Sequence, residues 1–518
     1  MTVAPETHFT WLDLIVLIVY FAGTMGIGAY FYLTGKSRDT EGYTAAGRSL
    51  GGIVVGLSIM ATYLSSISFL ALPGAAYIRN WNQFVFSLAL PFAALIAVKY
   101  FVPYYRSRKE VSAYHHIETR FGPWARLYMD ACYLLMQIGR MGSVMFLMAL
   151  PLHALLGWPV PLIVVVTGIS VIVYSLFGGI IAVIWADAIQ SVVLMAGALL
   201  CVVLMLFHMP EGAGQIFEIA REHGKFSLGS FNPLEFTAAT FWVVFVYGIF
   251  INLNNFGIDQ NYVQRYAAAK SVREAAKSLW LGALLYVPVS AVFFFIGTSL
   301  FAYYTAHPEA LAPEIVERIE VQGTGDYVFP FYIVTQLPTG VTGLLIAAIF
   351  AAAMSTVSTS LNSSATILLT DVYKRYWRRD ATERESMVFL YGSTLVCGIL
   401  GTLVGVAMMR AEGVLDTWWA IQGVFAGGML GLFLLGMVSR RAQNPGAIAG
   451  VVAGVLIIAW LSLPSLLGEA VPEAIRNPLH GNLTIVIGTA TILVVGLLVT
   501  SLSGPRRDNG NPPDEDRT

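Results

Sequence analysis

Apolar residues in this chain gather into long runs separated by short polar stretches, with little of the alternation that marks strands. A helix crosses a bilayer in about 20 residues. Runs of at least that order lie near 11–33, 50–77, 81–105, 122–156, 160–178, 180–207, 236–267, 274–305, 339–371, 387–410, 415–438, 444–464 and 482–503. Pro/Gly breaks and charged clusters separate most of them, and Phe177-Gly178-Gly179 predicts a tight turn between the fifth and sixth. The pattern predicts an all-α polytopic membrane protein with about 13 transmembrane helices.

Three runs depart from plain apolarity. Residues 350–372 carry Ser355, Thr356, Ser358, Thr359, Ser360, Asn362, Ser363, Ser364 and Thr366. Helical spacing puts Ala352, Ser355, Thr356 and Thr359 along one stripe, with Ser358 and Asn362 beside it. Inside a membrane such a stripe faces protein or water. Its oxygens are hard ligands suited to a small hard cation such as Na⁺, although small residues also serve close helix packing. The second run has Ser65, Ser66 and Ser68 at mid-depth with Pro73-Gly74 beyond, and the seventh has Asn252, Asn254, Asn255 and Gly257. Ser and Asn offer the backbone competing hydrogen bonds, and Gly and Pro weaken helix. Two interrupted spans five apart cross in opposite senses, the pattern of inverted repeats whose unwound segments bind ion and solute near the midplane. A pair of simple kinks is the alternative.

Composition agrees: 57% of the 518 residues are hydrophobic and 12% charged, about half the charge of a soluble domain. A net charge of −1 argues against nucleic-acid binding. Cys132, Cys201 and Cys397 fall in apolar runs without pairing or metal spacing. The first run follows MTVAPETHFT, which lacks a basic leader, so it is expected to be retained. Basic residues concentrate in alternate loops: Lys36, Arg38 and Arg48; Arg106, Arg108, Lys109, Arg120 and Arg126; Arg265, Lys270, Arg273 and Lys277; Lys374 to Arg384; Arg440 and Arg441. The positive-inside rule then sets the N-terminus outside and the C-terminus inside. Residues 1–504 form one transmembrane domain and 505–518 a polar cytoplasmic tail. The acidic loop 306–326 is expected to hold a short amphipathic helix on the outer side.

Asp187 and Arg140 lie within spans, where an ion costs a few kcal/mol at least and is a functional candidate by default. Asp187 could join the hydroxyls of Ser355, Ser358 and Thr359 around a cation, or pair with a basic residue. Arg140 could take a carboxylate by a bidentate fork, or serve a salt bridge or gate.

The segments GGIIAVIWADAIQSVVLMAG, DQNYVQRYAAAKSVREA and AAAMSTVSTSLNSSATILLTDVYKRY resemble the sodium/solute symporter family. Within it, AAGRSLGGIVVGLSIMATYLSSISFLALPG and QIGRMG look most like the bacterial sodium/sialic acid symporters. The resemblance implies a leucine-transporter-type fold: a five-plus-five core at about 50–438, an extra helix at 11–33 and extra helices at 444–503. It implies a main Na⁺ site from the carbonyls of Ala61, Leu64 and Ala352 and the hydroxyls of Ser355 and Thr356. A second site would use Asp187, Ser355, Ser358 and Thr359, giving one or two co-transported ions. Arg140, Ser65, Ser68 and Gln83 would bind the solute, with Ser87 one turn beyond Gln83. The implied activity is import of a small organic solute with Na⁺ by alternating access across the bacterial inner membrane. The solute is expected to be a carboxylate such as sialic acid, with monocarboxylates and neutral sugars as alternatives. A transporter-fold sensor and a passive channel are the competing classes. No nucleophile–base pair or phosphate loop supports an enzyme, and no obligatory protein partner is evident.

Overall fold

The computed structural model describes residues 10–34, 39–108, 111–410, 414–439, 441–467, 472 and 476–502. The tail 505–518 and the basic residues Lys36, Arg38, Lys109 and Arg440 lie outside them. The described residues are helical almost throughout, with one isolated backbone bridge between Leu50 and Ala269. The long helices are α1 (Trp11–Leu33), α2 (Gly52–Tyr63), α3 (Ile67–Ile78), α4 (Trp81–Ser107), α5 (Pro123–Leu156), α6 (Val160–Val173) and α7 (Gly179–His208). A connecting helix α8 (Gly214–Glu222) precedes α9 (Phe241–Ile258), α10 (Gln260–Ala268) and α11 (Val272–Ala306). Then follow α12 (Pro313–Gln322), α13 (Val341–Ile367, continuing in π-helical turns to Trp377), α14 (Glu383–Ala407), α15 (Val414–Val438), α16 (Asn444–Leu467) and α17 (Leu483–Leu502). Among the described residues eleven helices are long and apolar enough to cross a membrane, and α2 with α3 passes the same test as one bent pair. The shorter α6 occupies the fifth run, and the turn expected at Gly178-Gly179 is there: Gly179 has φ 54°, a region open to glycine. Helix α12 is the one expected in the acidic loop.

Helix α13 is the most enclosed span. Of its most apolar stretch 89% is buried, against 17% for α1, because α1, α5, α7 and α14 surround it. Its hydroxyls therefore meet protein, as a polar stripe in hydrocarbon must. Helix α2 packs against α7, α11 and α13. The second half of the bent pair sits so close to α11 that a Cβ on Gly297 would fall 2.2 Å from the Pro73 carbonyl oxygen.

Hydrogen bonds tie the alternate loops together in two separate sets. On one side Trp81 N donates to Lys225 O (3.1 Å), Asn82 Nδ2 to Leu228 O (2.8 Å) and His480 N to Phe236 O (2.8 Å). On the other, Leu50 N donates to Ala268 O (3.0 Å), Ala113 N to Gln260 Oε1 (2.9 Å) and Gln264 Nε2 to Thr44 O (3.1 Å).

Two residues of the basic loops are not solvated. Arg126 is buried, donating to Glu118 Oε2 (2.7 Å) and Asp371 Oδ1 (2.5 Å), and Arg265 is fully buried. Both lie where a span begins or ends and the neighbouring helices bring carboxylates to them; a charge count along the chain does not register this.

Candidate functional site

The break in the second span falls at Leu64, whose φ of −85° and ψ of 104° end α2. Ser65, Ser66 and Ser68 stabilise the bend as expected of backbone-competing hydroxyls. Ser65 Oγ accepts from Ile67 N (3.2 Å), Ser68 Oγ donates to Tyr63 O (2.8 Å) and Ser66 Oγ donates to Val144 O (2.9 Å). The chain turns by 58° across this point. A helix end leaves its last carbonyls without intrahelical partners. Those of Thr62 and Tyr63 are taken up by Arg140 and Ser68. Those of Ala61 and Leu64 accept no hydrogen bond among the described residues.

The seventh span breaks later than its asparagines suggest. Helix α9 runs unbroken through Asn252, Asn254, Asn255 and Gly257, and the chain leaves helix at Asp259 (φ −73°, ψ 118°). Asn252 back-bonds into the helix, Nδ2 to Gly248 O at 2.7 Å, and its Oδ1 accepts from Tyr63 OH at 2.8 Å. Tertiary partners thus absorb the side chain that would compete with the backbone. Asp259 caps α10 by accepting from Asn261 N (2.8 Å), an N-cap signal present in the sequence.

Mid-α13 supplies the opposing oxygens. Ala352, Ser355 and Thr356 are buried, and Thr356 Oγ1 donates to Ala352 O (3.0 Å). Ser355 Oγ donates to Asp187 Oδ1 (2.6 Å). Asp187, from α7, is fully buried and its Oδ2 accepts from Ser58 Oγ (2.7 Å) on α2 and from Arg265 Nη2 (2.6 Å) on α10. Thr359 Oγ1 also accepts from Arg265 Nη2 (3.0 Å), while Ser358 Oγ donates to Ser355 O (3.3 Å). Of the four residues expected around a second cation, Ser355 bonds Asp187 directly and Thr359 meets it through Arg265, while Ser358 bonds within its own helix; the basic partner weighed for Asp187 is present as well.

Ser65, Ser68, Gln83, Ser87 and Arg140 all line one cavity beyond the break, together with Tyr63, Asn255, Trp418, Trp419 and Gln422. Ser87 Oγ is bonded to Ser290 Oγ (2.8 Å). Arg140 is buried, with its guanidinium 5.9 Å from the Trp418 ring centre. Among the described residues it makes one hydrogen bond, to Thr62 O, so most of its donors are left for the cavity.

The model of the sodium:solute symporter family matches residues 43–454. The chain belongs to that family. This symporter is 33% identical over 502 residues to the sodium/sialic acid symporter NanT of Aliivibrio fischeri, covering 95% of this chain and 94% of that protein. It is 30% identical to the sodium/sialic acid symporter SiaT of Proteus mirabilis, covering 96% and 97%. A solved structure of a Na⁺-coupled sialic acid symporter in a substrate-bound outward-open state superposes with a TM-score of 0.85 at 29% identity, over 96% of this chain and 99% of that one. The symporter is therefore a multi-pass membrane transporter that carries Na⁺ with its solute.

Sequence reasoning missed the aromatic and amide wall of the cavity, Tyr63, Trp418, Trp419 and Gln422. An adjacent Trp pair at a span end looks the same as an interfacial anchor. A second cavity, lined by Arg79, Asn80, Asn82, Ala239, His480 and Asn482 among others, shares Gln83 and Trp419 with the first and leads toward the loops of one side.

Proposed function

We propose that this symporter imports an acidic sugar of the sialic acid type across the bacterial inner membrane, driven by Na⁺. The observation that carries the solute class is Arg140, a buried guanidinium with most of its donors facing the cavity beside the broken span. A planar fork of this kind suits a carboxylate, while Ser65, Ser68 and Gln83 supply partners for hydroxyl or amide groups.

The main Na⁺ binds the free carbonyls of Ala61 and Leu64, the Ala352 carbonyl and the hydroxyls of Ser355 and Thr356. These are hard oxygen ligands drawn from two packed helices. The ion therefore ties α2 to α13 and favours the form with the cavity open outward. Asp187, Ser355, Ser358 and Thr359 form a second cation position. Solute then closes the outer side and the inner side opens. Because coupling is reciprocal, Na⁺ and solute each tighten the other's binding. The two hydrogen-bonded loop sets support thirteen spans, the basic loops support an N-terminus outside, and the broken second and seventh spans support a five-plus-five inverted-repeat core. Two-ion transport is supported by the convergence of oxygens on Asp187.

The test is ligand binding by calorimetry with and without Na⁺, using sialic acids, monocarboxylates and hexoses. Sialic acid is expected to bind only with Na⁺, and Arg140→Lys to weaken it roughly tenfold or more, the worth of one charge-assisted bond. Binding of a neutral hexose equal to that of any acid rejects the carboxylate reading. Na⁺-driven accumulation of solute in proteoliposomes separates a carrier from a sensor or channel.

A further inference from the structure

Arg265 stands where the second ion is expected. It is fully buried, and all three of its guanidinium nitrogens are engaged: Nε donates to Ser58 Oγ (2.8 Å), Nη1 to Asn261 O (2.7 Å), and Nη2 to both Asp187 Oδ2 (2.6 Å) and Thr359 Oγ1 (3.0 Å). Two of the four side chains at that position, Asp187 and Thr359, thus already coordinate a cation, a nitrogen tethered to α10. Asp187 has one negative charge, paired with Arg265, and the other ion pairs among the described residues lie elsewhere. A buried carboxylate neutralised by a guanidinium attracts a further cation weakly, and a sodium ion beside that guanidinium is repelled by it. Ser355 Oγ and Ser358 Oγ each send their proton to another oxygen and keep lone pairs for a cation, so they stay available as ligands once Nη2 gives way.

We propose that Arg265 competes with the second sodium ion for Asp187 and so sets that site's affinity. The inference rests on the second cation position proposed above. The competition has a mechanical side. With Arg265 seated, one side chain clasps α10 to α2 through Ser58, to α7 through Asp187 and to α13 through Thr359. Helix α10 also carries Gln264 and Ala268, which close the side of the molecule opposite the cavity. An ion that displaces Nη2 loosens this clasp, so that side is readied to open once solute has closed the other. Arg265 is then an affinity-determining residue for the ion as well as a structural pair.

The experiment is a Na⁺ titration of the purified full chain at constant ionic strength with choline, read by tryptophan fluorescence and by melting temperature. In Arg265→Gln the midpoint of the weaker sodium phase is expected to fall about tenfold or more, because Asp187 has lost its resident counter-charge. The rise in melting temperature with Na⁺ should exceed that of the wild type, and adding Asp187→Asn should remove both effects. Ser58→Ala unhooks Nε while keeping both charges; it should shift the midpoint in the same direction by a smaller factor, and it serves if Arg265→Gln does not fold. A midpoint that stays put or moves to higher Na⁺ overturns the proposal, because Arg265 would then be positioning Asp187 for the ion. A wild-type protein with no sodium-dependent signal overturns the proposed ion sites themselves.

Discussion

Ser355 is the residue on which the two proposed ion positions meet. Its hydroxyl bonds Asp187 directly at 2.6 Å, and the main site proposed above draws on the same oxygen. Removing that oxygen deprives a buried cation of a ligand that water does not readily replace. Ser355→Ala is therefore expected to abolish Na⁺-driven uptake in proteoliposomes and to weaken Na⁺ binding roughly ten- to a hundredfold, the range for hydrogen-bond partners of charged groups. Uptake near the wild-type rate would remove Ser355 from the ion path. At this scale much was legible in the sequence. Hydroxyls at helical spacing in an apolar run leave few roles, and Ser65, Ser68, Gln83 and Arg140 do share a cavity. Arg265 was not legible as a site residue. It sits among loop lysines and arginines along the chain, and its role appears only when α7 and α13 bring Asp187 and Thr359 within 2.6 and 3.0 Å of one nitrogen.

At the scale of elements, the two breaks show what local propensity can and cannot say. The second span bends where its serines stand, because their hydroxyls satisfy the freed backbone. The seventh keeps its helix through three asparagines, of which Asn252 is held by Tyr63 and Gly248, and it breaks at the capping aspartate instead. The far end of the bent pair is held by a loop lysine. Lys225 Nζ donates to Tyr77 O and, at 3.0 Å, to Arg79 O, and lies 3.7 Å from the Phe301 ring centre. It thereby satisfies carbonyls at the end of α3. Burial lowers its pKa from 10.5 to about 8. A group depressed in the fold contributes stability that is complete above its unfolded pKa and lost as pH falls through its folded one. The wild type should therefore gain melting temperature relative to Lys225→Met as pH rises from about 8 toward 10.5. A difference that is flat over that window would show that the ammonium is not desolvated as the geometry implies.

The whole molecule has two adjoining polar cavities on one side and a hydrogen-bonded seal on the other. The cavity at Arg140 shares Gln83 and Trp419 as lining with the second cavity, bounded by Asn82, His480 and Asn482. Opposite, Gln264 bonds Thr44 O and Thr366 Oγ1, Leu50 N donates to Ala268 O, and Arg126 joins Glu118 to Asp371. Alternating access requires these two faces to exchange roles, and the orientation proposed above makes the side of the two cavities extracellular. Both points can be tested in one background lacking Cys132, Cys201 and Cys397. In cells with Na⁺ and no solute, a membrane-impermeant thiol reagent should label Asn82→Cys from outside and leave Gln264→Cys untouched from either face. Adding solute should slow labelling of Asn82→Cys and expose Gln264→Cys to reagent on the cytoplasmic face only, because closure of one side must precede opening of the other if the ion gradient is to be used and not dissipated. Labelling of Asn82→Cys from the cytoplasm would invert the orientation, and simultaneous labelling of both positions would replace the carrier by a pore.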